Sequence, residues 1–275
     1  RGLVNDIRLA SVEKYQGAMA SFHAVDAVEK AGELSFEDGL AIENELFVKA
    51  LSSDEARNLI YLFFAERQAA KIPEIKEQKE FLTADRAGFP GLFSDDVGLL
   101  ESLIKSNIAL RIVEEDQLQT ADVDFLFLRE VPENRGQDPA ATSQSLIVVD
   151  TSETFYPHKI GELGFDPSNI VGLRFWPGKA GFAEIGVSEF TSAFTIKSII
   201  ELLKKLKCSY VLERPSPYYA STRIREHRYD ENDLKIEVWK LLQEKNIGRA
   251  SDVDLIQVHC FGQPRHKSNV GMTSP

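Results

Sequence analysis

The residues able to do chemistry cluster where apolar runs break. SNIVGLRFWPGKAG (168–181) is an apolar strand pattern (Ile170, Val171, Leu173, Phe175) running into a Pro-Gly turn. Strand ends that break into such turns often carry functional groups. A proton-transfer site would use a histidine there, because imidazole alone titrates near neutral pH without help. Position 174 is an arginine, and guanidinium accepts no proton. Glu184 follows the turn; its carboxylate would suit an imidazole that this stretch lacks. VVDTSET (148–154) closes another strand pattern and sets Thr151 and Ser152 where a parallel strand's carboxyl end faces a crevice. A helix-cap or turn serine is the plainer reading of Ser152.

RAGFPG (86–91) sits at the first expected strand–helix joint. A dinucleotide site wants G-x-G-x-x-G there, for the tight turn, the pyrophosphate and close helix packing. Gly88 and Gly91 fit the second and third glycines. Arg86 stands at the first, and Pro90 removes a backbone donor. Glu114, past a strand pattern ending near Val113, is placed to accept from a ribose hydroxyl of NAD. A G-x-x-G before a helix is also common by chance.

Other classes are thinner. Net charge is −11, from 43 acidic and 32 basic residues. That balance argues against nucleic acid, which needs a basic footprint. No run of 18 apolar residues marks a membrane span. The start shows no signal-peptide pattern, and without an initial Met the chain reads as part of a longer one. Cys208 and Cys260 lack metal or redox spacing and look like strand-edge thiols, reduced in a cytoplasmic compartment. His23, His158, His227, His259 and His266 share no metal-ligand spacing.

These groups need elements to hold them. Residues 1–34 are mixed. Ser35 and Ser53 cap two amphipathic helical patterns that predict a hairpin over about 35–72, closed by Lys71 and Pro73. From residue 74, β-rich runs alternate with helical ones: 80–84, a helix near 94–106, 109–115, 123–131 and 145–152. Then come 169–176, 182–190, a helix at 193–206, 209–216 and a helix near 232–245. Runs apolar on both faces, separated by helices, predict a mostly parallel sheet in an α/β fold. VPENRGQDPAATSQ (131–144) predicts an exposed loop.

Taken together, these stretches resemble multifunctional enzymes of fatty-acid β-oxidation. Residues 22–73, with FFAERQAAK at 63–71 as the most specific part, look like the linker after an enoyl-CoA hydratase (crotonase) module. DTS (150–152), NIVGLRF (169–175), SPYYASTRI (216–224) and IGRASDVDLIQVHCFGQPRHK (247–267) look like successive motifs of the 3-hydroxyacyl-CoA dehydrogenase module. The resemblance implies linker helices over 1–73, a reduced Rossmann-like NAD-binding domain over 74–216, and the start of a C-terminal helical domain over 217–275. It implies an acyl-CoA substrate, NAD, and an adjoining crotonase-type domain upstream. Ser152 matches the family serine. Arg174 replaces the catalytic histidine, and Thr222 the asparagine. Glu184 matches the orienting glutamate, two residues closer than the family spacing, and Arg223 is retained. Between Glu114 and Asp124 there is no room for the family's helical arm. A dehydrogenase with impaired or no hydride transfer and a non-catalytic scaffold for a hydratase domain are both open readings.

Overall fold

The computed structural model describes residues 2–91, 97–114, 117–118, 120–128, 145–149, 165–176, 181–214, 216, 218–227 and 230–273. The chain forms two compact units, residues 1–64 with 262–269, and residues 65–261 with 270–275.

The first unit is helical. It contains α1 (Gly2–Lys14), α2 (Met19–Ala31), α3 (Phe36–Leu51) and the start of α4 (Asp54–Ala69). The expected caps form. Ser35 Oγ accepts from Asp38 N at 3.2 Å, and Ser53 Oγ accepts from Ala56 N at 3.1 Å. These bonds satisfy helix donors that have no partner within the helix. The hairpin, however, is not α3 on α4. The helix packed on α3 is α2, from the stretch that looked mixed. Its pattern was obscured because apolar residues such as Val28 lie exposed beside the polar ones.

The second unit holds one sheet. Among the described residues its strands are β1 (Arg86–Phe89), β2 (Ala109–Ile112), β3 (Phe125–Leu128), β4 (Leu146–Val149), β5 (Ile170–Trp176), β6 (Phe182–Gly186) and β7 (Ser209–Glu213). Their order is β2-β1-β3-β4-β5-β6-β7. Every neighbouring pair is parallel except β5–β6. The expected α/β, Rossmann-like architecture with a mostly parallel sheet is therefore present. β3 and β4 are buried at every position, as two covered faces require.

One face carries Phe89, Phe127, Val148, Val171, Ile185 and Leu212 against α5 (Val97–Lys105) and α6 (Ala193–Lys205). Ser192 caps α6 by accepting from Thr195 N at 3.1 Å. Ile196, Ile199, Ile200 and Leu203 of α6 are buried, each worth about 1.5–3 kcal/mol of apolar burial. The opposite face begins with Leu126, Ile147, Val149 and Ile170. Toward β5–β7 it turns polar, beside α7 (Ala220–Ile224) and α9 (Ser251–Phe261), with α8 (Glu231–Gln243) behind α7.

Two local expectations are corrected. Residues 80–84 are not a strand: the Leu82 N–H donates to Ser198 Oγ at 2.8 Å, and the first strand starts at Arg86. Cys260 lies within helix α9, not at a strand edge. The stretch 131–144 falls outside the described residues, as do Asp150, Thr151 and Ser152.

Candidate functional site

The polar patch arises from strand alternation, because residues two apart on a strand share a face. The β5–β6 register sets Arg174 opposite Glu184. The β6–β7 register sets Glu184 opposite Val211 and Gly186 opposite Glu213, so Glu213 lies diagonally on the same face. Val149 pairs with Gly172, which puts Arg174 two positions beyond the last described residue of β4, at the sheet's carboxyl edge. A glycine starts the return strand. Gly181 has φ +42°, and a Cβ there would lie 2.6 Å from Cys208 Sγ, so a side chain would prevent the close approach.

Arg174 is 8% exposed. Its Nη1 donates to Ser221 Oγ at 3.0 Å and to Thr222 Oγ1 at 2.6 Å. Its Cζ lies 4.6 Å from the Trp176 ring centroid. Glu184 is fully buried. Its Oε2 accepts from Trp176 Nε1 at 2.8 Å, and its Oε1 accepts from the Ser221 N–H at 2.9 Å. Glu213 Oε2 accepts from the Ala220 N–H at 2.8 Å. The two carboxylates thus fill the first donors of α7, which no bond within the helix can satisfy. Burial lifts the Glu213 carboxyl well above the usual range, and the charge of Glu184 pushes the same way.

The structure therefore brings together three residues singled out from the sequence: Arg174, Glu184 and Thr222. It adds Trp176, Ser221 and Glu213. Glu213 was visible as an acid inside the apolar run SYVLE, a combination that strands rarely bury without purpose. A bidentate Arg174–Glu184 pair does not form, since both Glu184 oxygens are engaged elsewhere. Arg223, next to Thr222, turns to α8 and pairs with Glu237 at 2.7 Å and with Glu244.

Arg174 can donate hydrogen bonds in this patch but cannot serve as its base. Guanidinium accepts no proton at neutral pH. Burial holds the Cys208 thiol up at about 11 and pushes the Cys260 thiol higher than usual, so both stay protonated. His259 stacks on Phe182, centroids 4.9 Å apart, with Nε2 3.5 Å from Glu66 Oε1. Among the described residues no group of His, Cys, Asp and Glu is arranged to hold a metal ion.

The glycines singled out for a cofactor lie elsewhere in the sheet. The strands divide at β1, with β2 on one side and β3 on the other; this is the crevice where dinucleotides lie in such sheets. Gly91 follows the end of β1, and Glu114 lies exposed just past β2. Gly88 is inside β1, not in the turn. A Cβ there would meet Val113 Cγ2 at 2.9 Å and Val123 Cγ2 at 3.0 Å. Its role in this fold is close packing, and it offers no opening for a pyrophosphate. Arg86 is also in the strand and pairs with Asp122 and Asp124, so it does not crowd a turn. Arg86 and Gly88 thus do not fit a phosphate cradle; Gly91 and Glu114 stand at the fitting edge.

The fold and patch define a Rossmann-like α/β module with a buried arginine and two buried carboxyls at one end of its sheet. No family model matches the chain. The human peroxisomal bifunctional enzyme is 33% identical over 112 residues, which make up 39% of this chain and 16% of that enzyme. Part of this chain is thus similar to part of a bifunctional enzyme, as the motifs implied, and the chain spans only a small share of that relative's length. The dehydrogenase part of multifunctional enzyme 1 from C. elegans is 14% identical, covering 64% of this chain and 54% of that one, with a TM-score of 0.43. A 3-hydroxybutyryl-CoA dehydrogenase from Escherichia coli K12 is 16% identical, covering 73% and 36%, with a TM-score of 0.37. Structural likenesses this weak carry no argument.

Proposed function

We propose that the chain is a 3-hydroxyacyl-CoA dehydrogenase-like segment of a fatty-acid β-oxidation protein, with hydride transfer impaired or lost. The motif order and the human relative support the ancestry. The observation that carries the loss is Arg174: it stands where the family places its proton acceptor, and it is a donor bonded to Ser221 and Thr222. Removing a general base typically costs about 10²–10⁴-fold. In this reading Thr222 lies on the acyl-CoA side, Ser152 matches the family serine by motif alone, and Gly91 and Glu114 are what remains of the NAD side. The bound cofactor would supply a hydride acceptor. Glu184 would hold the substrate side of the sheet to α7 rather than orient an imidazole.

The test is NADH production from a 3-hydroxyacyl-CoA by the wild type and by Arg174→His. Neither is expected to turn over, because the family's helical arm is missing between Glu114 and Asp124 and the glycine turn for the cofactor is broken. Robust wild-type turnover would refute the reading. Calorimetric titration with NADH gives weak or no binding; a micromolar Kd would show that Gly91 and Glu114 suffice.

A second reading has its own observation. The first unit exposes Phe36, Phe47, Leu9 and Val28, and an apolar groove of about 600 Å³ runs beside His23, Leu46 and Phe47. Exposed apolar area of this kind marks interaction surfaces. It favours a scaffold that docks an enoyl-CoA hydratase domain. Calorimetry of the chain against a crotonase-type domain, with and without Phe36→Ser and Phe47→Ser, separates the two readings. No helix among the described residues is long and apolar enough to cross a membrane. The two free thiols support a reducing compartment such as the cytoplasm, and the relative's name makes the peroxisome the rival placement.

A further inference from the structure

Arg174 carries a charge into the protein without an ion pair among the described residues. Its hydrogen bonds leave from Nη1 alone and go to two neutral hydroxyls, Ser221 and Thr222. Glu184 faces it across the sheet, but the Glu184 oxygens accept from Trp176 Nε1 and the Ser221 N–H instead. Among the described residues Nε and Nη2 of Arg174 have no partner, and neither belongs to the sealed, unpartnered polar atoms. Each nitrogen thus keeps some solvent exposure in a side chain that is 8% exposed overall. Trp176 and the two hydroxyls fix the guanidinium plane, so the open edge has one direction.

Buried charges are ordinarily paired, because an unpaired one loses its hydration without return. The Nε–Nη2 edge of a guanidinium presents two parallel N–H groups, spaced for the two oxygens of a carboxylate or of a phosphate. A fixed donor edge is preorganised, so binding loses little side-chain freedom. We propose that Arg174 anchors an oxoanion-binding site, taking a carboxylate or phosphate group of a ligand through Nε and Nη2. The inference rests on the contacts of Arg174 itself, and it stands or falls independently of any dehydrogenase activity.

The experiment follows the side-chain Nε–H signals of arginine by NMR in the 15N-labelled full chain. Loss of one signal in Arg174→Lys assigns Arg174. Inorganic phosphate and glutarate are titrated separately, with chloride as the ionic-strength control. The Arg174 signal is expected to shift saturably with an oxoanion and not with chloride, and Arg174→Met weakens binding about tenfold or more. A shift with phosphate alone identifies a phosphate-bearing ligand, and a shift with glutarate alone a carboxylate. A shift with both marks a general oxoanion site. No saturable shift with either, an equal shift with chloride, or unchanged affinity in Arg174→Met overturns the proposal. The wild-type signal decides the matter even if Arg174→Met fails to fold.

Discussion

Arg174 and Glu184 face each other across two strands, yet each is bonded elsewhere, Arg174 to the hydroxyls of α7 and Glu184 to Trp176 and the Ser221 N–H. Positions 174, 184 and 222 could be found from motif order, because motifs are local. Their partners could not, since the bonds join residues as many as 48 apart in sequence. Glu213 went unnoticed for the same reason: its burial is a property of the packed helices. It gives a pH prediction. Its carboxyl titrates well above its ordinary value of 4.5 in the fold, chiefly through burial. The unfolded chain ionises it near 4.5, so the stability due to the neutral folded form is full below that pH. It is lost as pH rises toward the folded value. Glu213→Gln keeps the shape without the titration. Its melting temperature should match or trail the wild type near pH 4.5 and gain on it steadily up to pH 8. Parallel curves across that range would mean that Glu213 is ionised in the fold.

Helices and strands were legible to different degrees. Ser35, Ser53 and the helical run at 193–206 marked helices through interactions within a few residues, and α3, α4 and α6 lie close to where those signals put them. Strand β1 was misplaced. Phe81 and Leu82 offered an apolar pair, but a strand forms only where a neighbour pairs with it, and the pairing partners of β1 lie at 109–112 and 125–126. The error moved Gly88 from a strand interior into a turn and gave it a cofactor role. Its surroundings now argue for packing. A Cβ would have to displace Val113 and Val123, and overpacking of this kind costs about 1–3 kcal/mol. Urea unfolding of Gly88→Ala should show a loss of that order. Val113→Ala in the same chain should return part of it, because residues in contact couple. A neutral Gly88→Ala would mean that the valines can move aside.

At the scale of the whole chain, the two units differ in how they treat apolar residues. The sheet unit buries aliphatic residues at the centre of its sheet, with Val148, Val171 and Val211 at 0% exposure, though its edge strand leaves Ile112 58% exposed. The helical unit leaves Phe36 81% exposed and Val28 72% exposed. A net charge of −11 opposes association of like chains, but salt screens it within about 8–10 Å. The apolar faces should therefore decide the behaviour of the isolated chain. Light scattering at rising protein concentration should show reversible association that strengthens with added salt, as repulsion is screened. Phe36→Ser with Phe47→Ser should weaken it, because both side chains are exposed and neither supports the core. The melting temperature of the double variant should stay near that of the wild type, since surface changes usually fall within about 0.5 kcal/mol. A chain that remains monomeric at high salt, with or without the two phenylalanines, would remove the exposed helices from any docking role.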